Sequence, residues 1–384
     1  MKPTDLPVCV RAGHRARWLP DGDATFAAML ALIAKARESV CLETYMIRPG
    51  EPAESLRAAL LEARARGLQV RVMYDAFGSE GLPITFFMAL EAAGGEIRVF
   101  SPARRLRLAF RDHRKLLVCD ARCAIVSGQN IGPEYTGDGV KRGWRDLALE
   151  IEGPIGASLA LSFEAMYALA PISASGIRKF RAAARALPSP AGAVRLLSSG
   201  PGWRKGVLGS TLRFDLRRAR DVRCMAGYFL PPSRIRRALH RCAARGGQVQ
   251  LLLAGKSDVL VARYAAEHLY ATMMDNGAEL YEYQPQVLHA KFILMDDIVY
   301  VGSCNLDRRS LEFNFELLLR LQWPELAAQG RVLFEEALQF SRRVPAERWS
   351  DRRRWWERLR SSLAYWLLTR IDPLLARRPL RSLD

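Results

Sequence analysis

The sequence predicts an α/β protein made of two duplicated domains, and two observations carry that prediction. First, His-x-Lys occurs twice with the same residues after it. One copy is His113-Arg-Lys115, Asp120 and Ser127-Gly128-Gln129-Asn130; the other is His289-Ala-Lys291, Asp296 and Gly302-Ser303-Cys304-Asn305. In both, four residues separate Lys from Asp, and a small-residue turn closes on Asn. Second, helices and strands alternate in the same order along each half, which argues for a parallel or mixed sheet.

The elements match one by one. In the first half, Phe26 to Ile33 form the buried face of an amphipathic helix, and Val40 to Tyr45 a strand ending in an aromatic. A helical stretch from Ser55 to Arg64 leads into Arg66-Gly67-Leu-Gln69-Val70, which opens the strand Val70 to Tyr74. Gly94-Gly-Glu-Ile-Arg-Val-Phe100 then precedes the first His-x-Lys. The second half offers Val222 to Tyr228, the helix Pro232 to Ala244, and Arg245-Gly246-Gly-Gln248-Val249 opening the strand Val249 to Leu253. Gly277-Ala-Glu-Leu-Tyr-Glu-Tyr283 follows, and matching elements lie about 176 to 183 residues apart. Four landmarks matched in order indicate gene duplication. Leu187-Pro-Ser-Pro-Ala-Gly and Ser198-Ser-Gly-Pro-Gly read as a linker. The domains are therefore 1–190 and 191–345, with a distinct basic tail over 346–384.

A chain of 384 residues can bury two cores. Its 49 % hydrophobic and 26 % charged residues are ordinary for a globular protein. The charge is not ordinary: 58 Lys+Arg against 40 Asp+Glu leave a net of +18. Such a surface suits a polyanionic partner, either nucleic acid or an anionic membrane. The seven cysteines form no C-x-x-C pair and lack further zinc ligands, so they read as reduced thiols of a cytosolic protein. The start, Met1-Lys-Pro-Thr-Asp, has no signal-peptide character, and no apolar run is long enough to span a bilayer.

Strand alternation places His113 and Lys115 on one face, and His289 and Lys291 likewise. Brought to one point, the two copies supply two imidazoles, two ammoniums and two amides. That set suits attack on a phosphodiester without a metal or other cofactor. The lysines hold the non-bridging oxygens, and Asn130, Asn305 and Ser303 are the further phosphate-binding candidates. One imidazole attacks phosphorus to give a covalent phosphohistidine. The other protonates the departing alkoxide and later activates the incoming alcohol. The sequence does not show which histidine attacks; we assign His113 as nucleophile and His289 as acid/base. A lone His-x-Lys is usually a surface pair. Two copies with Asp and Asn in step, using two of only five histidines, are not.

A catalytic histidine needs a carboxylate on its second nitrogen to fix the tautomer. Asp146 in Trp144-Arg-Asp146 and Glu316 in Asn314-Phe-Glu316 are the candidates, with Glu134 a weaker one. Asp120 and Asp296 complete the two catalytic His-Lys-Asp motifs. They fall five positions after Lys and read as structural, holding the turn.

This pattern resembles the phospholipase D superfamily, whose signature is His-x-Lys-x4-Asp followed by a Gly/Ser-rich turn and Asn. The likeness covers roughly residues 15 to 370. Within it the chain is similar to the bacterial cardiolipin synthases, particularly the B type without N-terminal membrane spans. Glu43-Thr-Tyr45, Asp75-Ala-Phe-Gly-Ser79, Arg111-Asp-His-Arg-Lys115, Asn130-Ile-Gly-Pro-Glu-Tyr135, Trp144-Arg-Asp146, Tyr228-Phe-Leu-Pro231 and Gly302 to Ser310 carry the likeness. Two departures stand out. The first turn has Ser127-Gly128 where Gly-Gly is usual, and in the second copy five residues rather than six separate Asp296 from Gly302. A shorter hairpin keeps Ser303 and Asn305 in place only if the turn type changes.

The resemblance implies two α/β/α sandwich domains packed about a pseudo-twofold axis around one shared site. It implies phosphatidyl transfer from phosphatidylglycerol or a related donor to a second lipid's hydroxyl. The partners it implies are anionic phospholipids and a membrane surface at the cytoplasmic face of the bacterial inner membrane, with no nucleic acid. From Arg342 onward there are twelve Arg against five acidic residues, and four of the eight tryptophans. Trp355, Leu359, Leu363, Trp366 and Leu367 share one helix face among Arg353, Arg354, Arg358 and Arg360. That composition reads as an interfacial helix, against the alternative of a helix docked on the protein's own core. Arg104-Arg-Leu-Arg-Leu-Ala-Phe-Arg111 is a second candidate for headgroup contact. Rival readings are a phospholipase D that passes the phosphatidyl group to water, a nuclease with the same catalytic residues, and a binding protein without catalysis.

Overall fold

The computed structural model describes residues 6–100, 110–170, 176–180, 182, 192–201, 206–346, 349 and 354–371. Two mixed eight-stranded sheets dominate it. The first runs Cys9–Arg11, His14–Leu19, Ala148–Glu152, Cys123–Ser127, Leu116–Cys119, Ser39–Thr44, Gln69–Asp75 and Glu96–Phe100. The second runs Val194–Ser199, Glu316–Gln322, Ile298–Gly302, Lys291–Met295, Asp221–Ala226, Gln248–Ala254, Glu279–Tyr283 and Ser341–Arg343. Apart from the edge strands Cys9–Arg11 and Ser341–Arg343, the sheets correspond strand for strand, so the duplication includes topology. Each half also has strands the sequence reading did not find: the opening pair His14–Leu19 and Val194–Ser199, and the closing pair Ala148–Glu152 and Glu316–Gln322. Ser198 and Ser199, read as linker, are instead the end of a strand paired with Glu316 and Leu317. Of the other linker segment, residues 187–191 lie outside the described residues, as do 104–109 of the basic segment before His113 and Arg353 of the tail.

Central strands bury both faces, so their side chains divide between two cores. Leu116 and Val118 face a core shared by the halves, while Leu117 and Cys119 face the outer core of the first half. Phe292 and Leu294 point to the shared core, Ile293 and Met295 to the outer core of the second half. The shared core holds Trp18, Phe163, Phe292, Trp323 and Phe334. Each such side chain stabilises the fold by roughly 1.5–3 kcal/mol on burial. Trp18 of the first half also donates from Nε1 to the Leu326 carbonyl of the second at 3.1 Å. Helix Gly22–Lys35 is capped by Asp21, which accepts from Ala24 N at 2.8 Å, and it packs Phe26, Met29 and Ile33 into the first outer core.

The two motif hairpins differ in the way the one-residue deletion requires. Cys119 pairs with Cys123 across a three-residue loop, whereas Met295 pairs with Ile298 across two residues. Beyond the loop the ladders agree, Leu116 opposite Val126 and Phe292 opposite Val301. Ser303 therefore stands where Gly128 does, and Asn305 where Asn130 does.

Candidate active site

Both His-x-Lys segments reach across to the other half. His113 N donates to Phe315 O at 3.0 Å and Phe315 N to Arg111 O at 2.9 Å. In the mirror position His289 N donates to Arg145 O and Arg145 N to Val287 O, each at 2.8 Å. These bridges fix the pairing of histidine with carboxylate. His113 Nδ1 lies 3.0 and 3.1 Å from the Glu316 oxygens, and His289 Nδ1 lies 2.7 Å from Asp146 Oδ2. Each histidine thus takes its carboxylate from the opposite half, so neither half makes a complete site. Glu134 is elsewhere, 3.1 Å from Arg48.

The lysines sit against the same histidines. Lys115 Nζ donates to His113 O at 2.6 Å and lies 5.1 Å from the Tyr45 ring centre. Lys291 Nζ lies 2.8 Å from His289 Nδ1 and 3.0 Å from Nε2. Burial and mutual repulsion set the protonation states. Burial first, and then Lys115, Lys291 and His289, hold His113 well below its ordinary value. Burial and Lys291 bring His289 down to about 4. Burial lowers Lys115 to about 7 and Lys291 to about 8, and raises Glu316 to about 8. Two neutral imidazoles beside two lysines whose charge burial disfavours make a basin in which an anionic phosphodiester would favour the ammonium forms.

Aromatic walls enclose the histidines. The Tyr45 ring is 5.0 Å from His113, and Tyr135 and Trp144 lie 5.3 and 5.5 Å from His289. Asn130 donates to the Tyr135 hydroxyl at 2.7 Å, and both Asn130 and Asn305 keep a buried side-chain oxygen without a hydrogen-bond partner. Ser303, a phosphate-binding candidate, donates its hydroxyl to Glu316 and exchanges bonds with Leu317. Its counterpart Gly128 has no side chain because none fits. A Cβ there would lie 2.8 Å from Asp146 Oδ1 and 2.8 Å from Lys291 Cδ.

Asp120 and Asp296 stand apart from this centre, at the far ends of their strands. Asp120 accepts from the backbone N–H of Arg37, Glu38 and Ser39 at 2.8–3.2 Å, and Asp296 from Arg220 and Asp221 at 2.9–3.3 Å. Both adopt positive φ, +55° and +50°, and both clamp the loop that opens a neighbouring strand. Their carboxylates bond backbone N–H groups at the ends of the motif hairpins.

Beneath His113 lies a charged cluster that sequence reasoning left without a role. Glu43 and Arg114, both fully buried, approach to 3.1 Å, and Arg114 also donates to Ser162 at 3.0 Å. Asp112 hydrogen-bonds Glu43, and burial raises the affinity of both carboxyls for a proton. The register places Met225, Leu288 and Ala290 at the matching positions of the second half. The two halves therefore solve the same packing problem with ionic and with apolar side chains.

Comparison with known proteins follows the same lines. A family model described as cardiolipin synthase, PLD-like domain, matches residues 29–162 and 213–338. Cardiolipin synthase A of Pseudomonas aeruginosa (strain LESB58) is 32 % identical over 363 residues, which are 89 % of this chain and 71 % of that protein. Cardiolipin synthase B of Salmonella typhi is 30 % identical over 372 residues, 95 % of this chain and 90 % of that protein. Among solved structures, phosphatidylserine synthase of Haemophilus influenzae Rd KW20 shares the fold with a TM-score of 0.75, covering 97 % of each chain at 14 % identity.

Proposed function

We infer the reaction from a plain premise, that the chain belongs to the phospholipase D-like cardiolipin synthase family. We propose that it is a phosphatidyltransferase acting on anionic phospholipids, with phosphatidylglycerol the first donor to try. The observation that carries this reading is the crossed pairing, in which each histidine is held by a carboxylate of the other half beside two lysines.

In this reading, Lys115 and Lys291 receive the phosphodiester's non-bridging oxygens. Neutral His113 attacks phosphorus through Nε2 while Glu316 holds Nδ1–H, and the bond to the leaving glycerol oxygen breaks. His289 must then donate a proton. Its ring is uncharged in the empty site, but the bound phosphate offsets the repulsion from Lys291 and lets it charge. The lipid hydroxyl that follows returns its proton to His289 and takes the phosphatidyl group from His113. The choice of His113 as nucleophile is supported by one difference between the lysines: both donate to the backbone oxygen of their own histidine, but Lys291 also lies within 3.0 Å of the His289 ring nitrogens, whereas Lys115 stays with the His113 carbonyl.

The lipid substrates imply peripheral attachment to the cytoplasmic face of the inner membrane. No helix among the described residues is long and apolar enough to cross a membrane. Mass-spectrometric product analysis tests the reaction, using phosphatidylglycerol vesicles with and without phosphatidylethanolamine, in EDTA, against a His113→Ala control. Cardiolipin formed only by the intact protein is the expected result. Phosphatidic acid alone would mean hydrolysis, and no lipid product would overturn the reading.

A further inference from the structure

The tail helix Trp355–Trp366 is both docked and exposed, and its two faces are distinct. It packs on helix Leu260–Asp275 through a small-residue face. Ser361 and Ala364 are buried there, the Tyr365 ring stacks on His268 at 4.5 Å, and Arg360 lies 3.7 Å over Tyr264. The opposite face carries Trp355, Leu359, Leu363 and Trp366, which are 75, 59, 59 and 52 % exposed. Their spacing of four, four and three residues makes one continuous stripe. The stripe runs on to Leu367, and Val259 and Leu260 are exposed at the start of the supporting helix.

A pocket of about 140 Å³ opens between these elements, lined by Tyr228, Leu230, Val259, Ala262 and Leu368, with Arg308 at its side. Its Tyr228–Leu230 wall runs beside the second His-x-Lys strand: Gly227 N donates to Ala290 O at 3.3 Å, and Phe229 pairs with Leu306, next to Asn305. The Tyr228 hydroxyl donates to Asp258 at 2.7 Å, and both Asp258 and Asp307, which also lines the pocket, act electrostatically on Lys291. One face thus joins an apolar stripe and a slot with apolar walls, and the slot's wall continues into the strand that pairs with Lys291.

We propose that this face docks on an anionic lipid bilayer, and that the slot is the port through which a bilayer lipid reaches the His289 half of the site. The occupant follows from charge and from shape. Exposed Arg354, Arg358 and Arg370 accompany the stripe on a chain of net charge +18, which opposes a basic second copy and favours an anionic leaflet. Tryptophan and leucine on one face with arginine beside them is the pattern of a helix lying in the headgroup region. The tail is then a fixed wall of the port, held by Tyr365 and Ala364, rather than a free anchor. The proposal rests on the lipid-transfer reading above.

The test is a Trp355→Ser, Leu359→Ser, Leu363→Ser, Trp366→Ser variant, whose altered side chains all face solvent, together with Thr369→Trp, at a residue that also lines the slot, to fill it. Flotation with phosphatidylglycerol vesicles and with phosphatidylcholine vesicles measures binding. Turnover is followed on vesicles, in detergent micelles and with a water-soluble short-chain phosphatidylglycerol. The stripe variant should lose vesicle binding by about tenfold or more and lose vesicle turnover with it, while keeping short-chain turnover. Thr369→Trp should bind vesicles normally yet turn over long-chain lipid more slowly than short-chain lipid. Wild-type binding by the stripe variant, or equal affinity of the native protein for both vesicle types, overturns the docking surface. Absence of turnover on every lipid by the native protein would instead defeat the transfer reading itself.

Discussion

Arg114→Met is the perturbation that tests most sharply how the first half is built. Arg114 and Glu43 are fully buried 3.1 Å apart, with Asp112 against Glu43, so removing the guanidinium leaves two buried carboxyls without their ion-pair partner and only Lys115 acting on them. Breaking a buried pair by deleting one partner costs about 3–5 kcal/mol, whereas replacing all members with apolar groups of similar volume is often neutral or stabilising. The second half supplies the apolar version, with Met225, Leu288 and Ala290 in the equivalent places. Glu43→Met, Asp112→Leu, Arg114→Met should therefore recover most of what Arg114→Met alone loses. Thermal unfolding followed by circular dichroism reads both, and the single variant should melt several degrees lower. A single variant as stable as wild type, or a triple variant no better than the single, would refute the reasoning. The positions flank His113, so the triple variant also shows whether the ionic cluster has a catalytic use: wild-type kcat would make it structural alone.

Other outcomes follow from the same geometry. Gly128→Ala should push Asp146 aside by about 0.7 Å to restore van der Waals contact; this disturbs His289 and should lower kcat by roughly 100-fold with little change in melting temperature. Asp120→Ala removes an acceptor from three backbone N–H groups and should cost roughly 1–3 kcal/mol of stability while leaving kcat near wild type at low temperature. An ammonium is charged below its pKa, and Lys115 and Lys291 stand at about 7 and about 8. Glu316, raised to about 8, must lose its proton to hold His113 Nδ1–H, so its ionisation opposes the loss of the lysine charges and kcat/KM, which reports the free enzyme, should follow a bell with its falling limb set by the lysines. Bound phosphate stabilises both ammoniums, so the falling limb of kcat should lie at higher pH; a kcat/KM with no falling limb on the alkaline side would contradict the lysine assignment.

Much of this architecture was legible because duplication makes a sequence its own comparison. His113, Lys115, His289 and Lys291 stood out by recurrence, and Asp120 and Asp296 by falling at a strand end. The closing strands were missed because Ala148–Glu152 and Glu316–Gln322 follow the motif turns without a helix between, and buried runs such as Glu316-Leu-Leu-Leu-Arg-Leu carry no alternation. Sequence named Asp146 and Glu316 but not their exchange between halves, which depends on how two domains dock. The bond from Ser303 to Glu316 was hidden for a related reason: the two lie thirteen residues apart, and only the fold brings Glu316 within reach of its hydroxyl. The ionic cluster was hidden because Glu43, Asp112 and Arg114 are far apart or adjacent in ways that suggest solvent exposure. The tail helix docks on the protein through one face and leaves the other exposed, a division that composition alone does not reveal.

Trapping the covalent intermediate tests the central claim most directly. The native protein and a His289→Ala variant, which without its general acid should form the adduct slowly but also hold it longer, are mixed with phosphatidylglycerol labelled in the phosphatidyl moiety, denatured at alkaline pH and digested for mass-spectrometric mapping. The composite site with His113 as nucleophile predicts a phosphatidyl adduct on the peptide containing His113, absent from a His113→Ala, His289→Ala control. An adduct on His289 of the native protein, with none on His113 in either form, would contradict it.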